Sequence, residues 1–459
     1  MNNPAVLELL MNNRDRTNFR RKIGSERILL MLPLNIVMVG RIRGTVDRSR
    51  IAAALEKLRS RHPFLGVRVQ IDDDGTGSYV AEDVPAIVIH VEPRQCEEQW
   101  IDRLKEEFRT PFPIETGPLV RCSLIQSEDV SEIILCGHHA ICDGMSLGYL
   151  IRDLLKYIAE PTQDFDGSIY PPPIDRTTVP SPPSTNPLLR FIMTRINKKW
   201  AAKNIRFSES EMCRMHEEFW KHNSAIQVIA WDMDPRTTAG LVERCRAENV
   251  TVNTALWTAF LAAQYDVQGD RRRYRKRSAL AVSTRNKLNV SVGEAFGFYA
   301  SSLTVKLPYS RRKSFWDNAR TVHSRITKEL SKTNLFRMFF SEMVHPTLLD
   351  SIYFRKYSLL DEAMPKRLLS KMGWHKITYG YALTNVGRFD IPTTYGPYRL
   401  EAVYGPLFYS DVEEKMVGVI TVGGRLSIIL ASNESVVGDV TRLKEAAMGY
   451  LETGLQRYC

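Results

Sequence analysis

The sequence predicts an α/β protein with two lobes, and three observations support this prediction. The chain has 459 residues, whereas a single hydrophobic core usually stops growing at about 250–300 residues. Short apolar runs typical of strands alternate with segments of helical periodicity. Eight prolines fall among residues 161–187, and such a stretch favours neither a helix nor a central strand. We therefore expect an N-terminal lobe at 1–160, a proline-rich linker at 161–190 and a C-terminal lobe at 191–459.

The first lobe begins with a strand and a capped helix. Asp47 is placed to cap that helix, apolar residues at positions 51, 55 and 58 share one of its faces, and His62-Pro63 should end it. A second helix is expected at residues 97–109. The predicted strands of this lobe cover residues 36–43, 86–91, 119–126 and 132–136.

The second lobe repeats the mixture of strands and helices. Two segments with helical periodicity lie at residues 238–248 and 254–264. The predicted strands of this lobe cover residues 225–231, 279–282, 302–305, 415–422 and 425–430. Strands and helices alternate throughout, which is typical of an α/β fold.

The composition is that of a soluble globular protein with a basic surface. The net charge is +11, which fits either a solvated surface or an anionic partner such as coenzyme A, an acidic carrier protein or a nucleic acid. The densest basic run, residues 271–277, contains one tyrosine, and no nucleic-acid-binding module surrounds it. Nucleic acid is therefore not an expected partner.

The chain is expected to be cytoplasmic and to lack a membrane span. Its most apolar early stretch, residues 28–39, contains Pro33 and is twelve residues long, whereas a spanning helix needs about twenty. The first residues do not show the basic segment, apolar segment and small-residue cleavage site that follow one another in a secretion signal. The seven cysteines are widely spaced and form no CxxC pair, which argues against a disulfide framework and a zinc ribbon.

One stretch, CGHHAICDGMS at residues 136–146, concentrates reactive side chains. The apolar run before it predicts a buried strand, and the apolar spacing at 147–158 predicts an amphipathic helix. The stretch is therefore a turn between two rigid elements, a position where functional residues are often held. A histidine there can accept a proton near neutral pH. Asp143 can orient an imidazole or an arginine, and Gly144 permits backbone angles that other residues avoid.

The residues by themselves leave three interpretations of this turn. His138 or His139 acts as a general base, the two bind a metal together with Asp143, or they form only local hydrogen bonds. A shared metal is disfavoured because adjacent side chains of an extended segment point to opposite sides. No GxSxG sequence is present to indicate a nucleophile triad.

HHAICDG resembles the HHxxxDG motif of the superfamily of condensation domains and acyltransferases with a chloramphenicol acetyltransferase-like fold. The likeness continues upstream in LEKLRSRHPFLGVRV (55–69) and PFPIETGPLVRCSLI (111–125), and downstream in NVTVNTALWTAFLAA (249–263). Residues 281–288 and 297–307 occupy the places of two further family strands. The resemblance extends from about residue 31 to the C-terminus.

One segment distinguishes among the members of this superfamily. Residues 384–390 read TNVGRFD, where condensation domains of peptide synthetases usually carry DFGWG. The segment YALTNVGRFDIP at 381–392 is similar to that of stand-alone, ester-forming members, such as polyketide-associated and alcohol acyltransferases. No adenylation or carrier module is attached in this sequence. The resemblance therefore favours a stand-alone acyltransferase of natural-product or lipid biosynthesis.

The resemblance implies two similar lobes that form a V, with an active-site tunnel between them and the motif at its middle. It also implies a role for seven residues. These are His139 as general base, His138 as a residue that shapes the turn, Asp143 as a structural residue paired with Arg285, Gly144 close to the donor with its N–H facing the oxyanion, and Asn385 and Gly387 at the tunnel bridge. Asn385 is equally compatible with an ordinary turn.

The implied reaction moves an acyl group from a thioester to a hydroxyl and gives an ester. The donor is acyl-coenzyme A or an acyl-carrier protein, and the acceptor is a small-molecule alcohol or amine. No bound cofactor or metal is expected, because the coenzyme A or phosphopantetheine thioester is a substrate. Two alternatives stay open, an amide-forming condensation enzyme and a catalytically silent homologue that binds carrier proteins. A monomer is expected, and the basic residues 14, 16 and 20–22 are candidates for carrier docking.

Overall fold

The computed structural model describes residues 19–180, 186–269, 276–332, 335–372 and 375–456. Two six-stranded mixed sheets, each packed against helices, account for most of these residues. The predicted α/β fold is confirmed. Of the basic residues predicted for carrier docking, 14 and 16 lie outside the described residues, as does most of the basic run 271–277.

The first sheet has the strand order β12-β13-β2-β7-β6-β5, and a small sheet with the order β1-β4-β3 stands beside it. The motif strand β7 is central in the first sheet, because it pairs with β2 on one side and β6 on the other. The strands of these two sheets are β1 (Arg20–Lys22), β2 (Asn35–Arg43), β3 (Arg68–Ile71), β4 (Gly77–Val80), β5 (Ile89–Pro93), β6 (Val120–Gln126), β7 (Val130–His138), β12 (Thr394–Tyr395) and β13 (Tyr398–Leu407).

The second sheet has the strand order β10-β9-β11-β14-β15-β8. Its central strand β11 runs parallel to both of its neighbours, β9 and β14. The strands of this sheet are β8 (Ile226–Met233), β9 (Arg277–Ser283), β10 (Ala300–Lys306), β11 (Tyr379–Arg388), β14 (Glu413–Val422) and β15 (Arg425–Asn433).

Helices cover the sheets. In the first lobe α2 packs on α4, and α4 packs on β2 and β13, whereas in the second lobe α8 packs on α13 and α9. The helices are α1 (Arg27–Leu30), α2 (Arg48–Arg61), α3 (Gln99–Arg109), α4 (Gly144–Ala159), α5 (Pro187–Ala201), α6 (Glu209–His222), α7 (Pro235–Ala247), α8 (Val252–Gln268), α9 (Phe315–Lys332), α10 (Pro346–Lys356), α11 (Ala363–Met372), α12 (Glu434–Val437) and α13 (Val440–Gln456). No helix of the described residues is long and apolar enough to cross a membrane.

The local signals of the sequence correspond well to the elements of the first lobe. The Asp47 carboxylate accepts a hydrogen bond from the Ser49 backbone N–H and caps α2, because the first amides of a helix lack intrahelical acceptors. The helix ends at Arg61 with His62 as its C-cap, as predicted. The strand expected at 86–91 is displaced, since β5 covers Ile89–Pro93. The small sheet of β1, β3 and β4 was not predicted, because its strands have only three or four residues each.

The two lobes are not separated along the chain as the linker predicts. Strands β12 and β13 belong to the second half of the sequence, yet β13 pairs antiparallel with β2 in the first sheet. Helix α6 also reaches the first lobe, since its Met215 and His216 line a cavity together with Phe112 and His138. The boundary predicted at residue 191 therefore does not follow the packing.

The segment predicted as a linker makes specific contacts. The Ile169 N–H donates to the Arg61 carbonyl at 2.6 Å, and the Tyr299 hydroxyl donates to the Pro172 carbonyl at 2.7 Å. Helix α5 begins within the predicted linker, at Pro187, where the Asn186 side chain accepts from the Leu188 N–H. A proline is well placed there, because the first residue of a helix needs no N–H donor.

Pro406, near the end of β13, is packed between the lobes. A Cβ atom at Gly144, the first residue of α4, would overlap the Pro406 ring, and a Cβ atom at Gly418 of β14 would overlap the Pro406 carbonyl. The expectation that Gly144 adopts an unusual backbone angle is wrong, because its φ lies outside the left-handed region. Glycine is needed there for close packing, not for conformational freedom.

This packing predicts opposite effects for two glycine-to-alanine substitutions. Gly418→Ala should lower the free energy of unfolding by about 1–3 kcal/mol, because the added methyl must displace Pro406. Gly449→Ala is the matched control, since Gly449 lies inside α13 with nothing within 4 Å of a built Cβ. It should raise the free energy of unfolding by about 0.5–1 kcal/mol. Urea unfolding of both variants measures the difference, and equal stability of the two would contradict the proposed overlap.

Candidate active site

The backbone of the two histidines is fixed on both sides of the central strand. The His138 N–H donates to the Leu119 carbonyl and the His139 N–H donates to the Leu34 carbonyl, each at 2.9 Å. Leu119 immediately precedes β6 and Leu34 immediately precedes β2. The turn at the end of β7 is therefore held by both neighbouring strands before α4 begins.

The imidazole of His139 is oriented by a backbone carbonyl. Its Nδ1 lies 2.9 Å from the Cys142 carbonyl oxygen. Because a carbonyl oxygen can only accept, Nδ1 carries the hydrogen and Nε2 keeps its lone pair. The ring is half-buried, with Phe298 at 5.3 Å and Phe408 at 5.4 Å between ring centroids. Nε2 can therefore act as a base in an aromatic surrounding.

The environment of His139 favours the neutral imidazole. Burial lowers the pKa of His139 below its ordinary value, and the hydrogen bond to the Cys142 carbonyl and the charge of Asp143 oppose this shift only partly. A neutral imidazole is the form that accepts a proton. The lowered pKa and the hydrogen on Nδ1 therefore both leave Nε2 free to accept a proton.

His138 has a different environment from its neighbour. It is buried, and its Nδ1 accepts the Ala140 N–H at 3.2 Å. Its ring meets the ring of Phe112 edge-on, with a centroid distance of 6.0 Å. Burial and the adjacent His139 lower the pKa of His138 to about 3. The contact with the Ala140 N–H lies within the turn, and a role of His138 in shaping that turn stays a prediction.

Asp143 is buried and fully engaged in hydrogen bonds. One carboxylate oxygen accepts from the Ser146 N–H at 2.8 Å and from the Ser146 hydroxyl at 2.9 Å, so Asp143 caps α4. The other oxygen accepts from the Tyr299 N–H at 3.0 Å. Asp143 therefore ties the motif helix to the loop before β10, in the second lobe.

Arg285 completes this connection. Its Nη2 lies 3.0 Å from the Asp143 carboxylate, and the same nitrogen donates to the Ser146 hydroxyl at 2.8 Å. Its Nη1 donates to the Ala295 carbonyl at 2.9 Å. Both partners of the ion pair are buried. The structure thus places the predicted pair in contact across the lobes.

Asn385 and Gly387 lie at a bulge in β11 and do not touch His139 in any contact of the described residues. The Asn385 side-chain oxygen accepts the Gly387 N–H at 2.7 Å, and the pairing of β11 with β14 shifts register between these two residues. Gly387 has a φ of +79°, which suits glycine. Phe389, which follows the bulge, packs against Gly148 and Tyr149 of α4. The segment thus reaches the first lobe, and a position at a tunnel bridge stays a prediction.

Several residues around the motif were missed by the sequence analysis. Phe298 and Phe408 contact His139, and Ser146 and Tyr299 satisfy Asp143. Ser146 had a local signal, because it is the third residue after the capping Asp143, whose side chain is expected to accept its backbone N–H. Phe298, Tyr299 and Phe408 come from distant segments and had none.

The predicted docking cations are only partly free. Arg21 donates to Glu26 at 2.7 Å and its guanidinium lies 4.4 Å from the ring centroid of Phe64. Arg20 and Lys22 are exposed, and Arg20 lies 3.5 Å from the Asp72 carboxylate. Within the described ranges no group of three or more histidine, cysteine, aspartate or glutamate side chains could hold a metal ion.

Comparison with known proteins identifies the class of fold. The chain is similar to the trichothecene 15-O-acetyltransferase TRI3 of Fusarium sporotrichioides, with a TM-score of 0.63, 11% identity and 95% of each chain covered. It is also similar to polyketide synthase associated protein 5 of Mycobacterium tuberculosis, with a TM-score of 0.60, 17% identity and coverage of 96% of this chain and 98% of that one. The chloramphenicol acetyltransferase-like fold predicted from the motif is confirmed.

The sequence comparisons match part of the chain. Residues 34–163 match the model of the Condensation domain. A curated relative, nonribosomal peptide synthetase kk1B of Curvularia clavata, is 24% identical over 307 residues, which is 62% of this chain and 2% of the relative. The chain spans only 2–7% of the length of the first three curated relatives.

The buried pair predicts strong coupling between two substitutions. Asp143→Ala and Arg285→Ala should each lower the free energy of unfolding by about 3–5 kcal/mol, because each leaves a buried charge without its partner. The double variant should cost less than the sum of the two. The pair Arg43–Glu401 provides the control, since the Arg43 side chain is 70% exposed, and Arg43→Ala should cost less than about 1 kcal/mol. Urea unfolding measures all four, and additive costs at Asp143 and Arg285 would contradict the coupling.

Proposed function

We propose that this protein is an acyltransferase that moves an acyl group from a thioester donor to a hydroxyl acceptor and forms an ester. The observation that carries the proposal is the His139 imidazole, with its Nε2 lone pair available and its Nδ1 bound to the Cys142 carbonyl. The family match of the first lobe supports a transferase. The similarity to the TRI3 protein, which is named as an O-acetyltransferase, supports oxygen as the acceptor atom.

His139 would act directly on the acceptor. Its Nε2 takes the proton of the acceptor hydroxyl while the hydroxyl oxygen forms a bond to the thioester carbonyl carbon. The resulting tetrahedral oxyanion collapses, the carbon–sulfur bond breaks, and the thiolate takes the proton from the imidazolium. The products are an ester, a free thiol and a neutral histidine. No acyl-enzyme forms in this sequence.

The negative charge that develops on the thioester carbonyl oxygen in this reaction needs a hydrogen-bond donor nearby. Gly144 is the first residue of α4, and the amides of a first helical turn lack intrahelical acceptors and lie at the positive end of the helix dipole. We assign its N–H to the oxyanion, a type of contact that typically contributes a factor of about 10²–10³ in rate. Asp143 would remain structural, because Ser146, Tyr299 and Arg285 already use its oxygens.

The donor would be acyl-coenzyme A or an acyl-carrier protein, and neither requires a bound cofactor. The net charge of +11 suits the phosphates of either donor. Arg20 and Lys22 remain candidates for carrier docking. A cytoplasmic monomer acting in natural-product or lipid biosynthesis completes the proposal.

A specific observation favours a second candidate. The curated relative kk1B is by name a nonribosomal peptide synthetase, so an amide-forming condensation between carrier-bound substrates is the alternative. The residues 384–390, TNVGRFD, favour the ester. A catalytically silent, carrier-binding homologue is the remaining candidate, and the intact HHAICDG sequence argues against it.

Replacing His139 tests the proposed base. His139→Ala should lower kcat by about 10²–10⁴-fold, because the acceptor hydroxyl loses its proton acceptor. The measurement is free-thiol release from matched acyl-coenzyme A and acyl-carrier thioesters, with a panel of alcohols and amines. His90→Ala is the matched control, since His90 is exposed on β5 and pairs with Glu92.

The outcomes separate the candidates. Release that depends on an alcohol and disappears in His139→Ala supports ester formation. Release that requires an amine and a carrier-bound donor would replace it with amide formation. Carrier binding without release under any condition would favour the silent homologue, and equal rates for wild type and His139→Ala would exclude His139 as the base.

The pKa of His139 predicts the pH dependence of the reaction. Because burial lowers this pKa, the base is active above it and loses activity as the pH falls through it. We expect kcat/KM to rise tenfold per pH unit and to level off with a midpoint below about 6.5, the ordinary value for histidine. A pH–rate profile with the better donor measures this. A midpoint above 6.5 would assign the profile to another group.

A further inference from the structure

Helix α5 has one face packed against the 3-10 helix Arg337–Met343 and the start of α10. Met193 and Trp200 are buried on this face. The Trp200 indole donates to the Thr347 hydroxyl at 2.9 Å, and the Asn197 side chain donates to the Met343 carbonyl at 2.8 Å. The helix is therefore docked in a fixed orientation, and its opposite face is presented to solvent.

That outer face exposes large apolar side chains. Leu188, Phe191 and Ile192, on the first two turns, are 64%, 56% and 44% exposed. Three of the six strongly exposed large apolar residues in the described chain thus lie on one helix. A fourth, Phe340, is 45% exposed on the 3-10 helix Arg337–Met343, which contacts α5. Single exposed apolar residues are ordinary, but a group such as this marks an interaction surface.

The same helix is strongly basic. Residues 187–204 contain five lysines and arginines and no acidic residue. Lys203 pairs with Glu362 at 2.7 Å, whereas Arg190, Arg195, Lys198 and Lys199 are exposed and form no ion pair with a described residue. The Arg195 guanidinium lies 4.6 Å from the ring centroid of Phe191. Apolar and cationic groups therefore share the outer face.

We propose that the outer face of α5 binds the surface of an anionic lipid bilayer. A helix with Leu, Phe and Ile on its outer face and Lys and Arg beside them binds at the interface, where the apolar side chains enter the acyl boundary and the cations meet the phosphates. Leu188, Phe191 and Ile192 would insert, and Arg195, Lys198 and Lys199 would contact the headgroups.

A bilayer fits this surface better than an acidic protein. An acidic protein would pair with the cations. It would also place carboxylates against Leu188, Phe191 and Ile192, and contact with a carboxylate does not stabilise an apolar side chain. A bilayer offers phosphates and hydrocarbon at successive depths, so it satisfies both sets of side chains. The inference does not rest on the proposed acyl transfer, because no residue of α5 contacts the motif in the interactions described above.

The test is sedimentation of the 459-residue protein with vesicles of phosphatidylcholine alone and of phosphatidylcholine mixed with phosphatidylserine. We expect binding only to the vesicles with phosphatidylserine, and weaker binding as salt is raised. Lys198→Glu/Lys199→Glu should weaken this binding by at least about tenfold. Leu188→Ser/Phe191→Ser should weaken it by a similar factor, through lost insertion.

Two variants serve as matched controls. Val88→Ser removes an apolar side chain that is 60% exposed elsewhere, and Lys328→Glu reverses an exposed charge on α9. Both should bind vesicles like the wild type. Thermal unfolding of every variant shows whether the fold is retained, which surface substitutions should leave unchanged.

Three results would overturn the proposal. One is the absence of wild-type binding to vesicles with phosphatidylserine, and another is equal binding by the α5 variants and the controls. The third uses poly-L-glutamate as a soluble acidic competitor. If it binds as tightly as the vesicles, and Leu188→Ser/Phe191→Ser leaves both interactions intact, the surface belongs to an acidic protein instead.

Discussion

The buried carboxylate of Asp143 is the interaction on which the arrangement of the site depends. It caps the helix that follows the motif, pairs with Arg285 and accepts the Tyr299 N–H. The first contact lies within the first lobe and the other two join it to the second. A buried ion pair adds little net stability but is costly to disrupt, so it constrains geometry. The His139 imidazole lies in the same turn, four residues before Asp143, and is oriented by the Cys142 carbonyl.

Pro406 supplies a second constraint at the same place. It lies against Gly144 of the motif helix and Gly418 of the second sheet, and it belongs to a strand that the second half of the chain contributes to the first sheet. The lobes are therefore joined by a strand that the second half of the chain contributes to the first sheet, by an ion pair, and by a proline packed between two glycines. Phe298 and Phe408, which contact His139, come from the segments that make these connections. The surroundings of His139 thus depend on how the lobes are joined.

The geometry of His139 is compatible with different acceptors. A neutral imidazole with a free Nε2 can take a proton from a hydroxyl or from an amine, so the proposed base would not choose between them. That choice would belong to the residues that line the approach to Nε2. The fold is shared with an O-acetyltransferase, and the first lobe matches the family of condensation domains. The basic and apolar face of α5 lies outside this machinery and would determine where the protein acts.

The sequence by itself determined the α/β class, most elements of the first lobe and the location of the motif. These follow from local physics: periodicity, capping by Asp47 and the apolar strand before His138 depend on residues close in the chain. It also suggested Arg285 as the partner of Asp143, although only through a family resemblance. The tertiary structure decided the pairing of β13 with the first sheet, the packing role of Gly144, the aromatic contacts of His139 and the exposed face of α5. Each of these depends on contacts between distant segments, and the pattern within one segment carries no information about which distant residue will meet it.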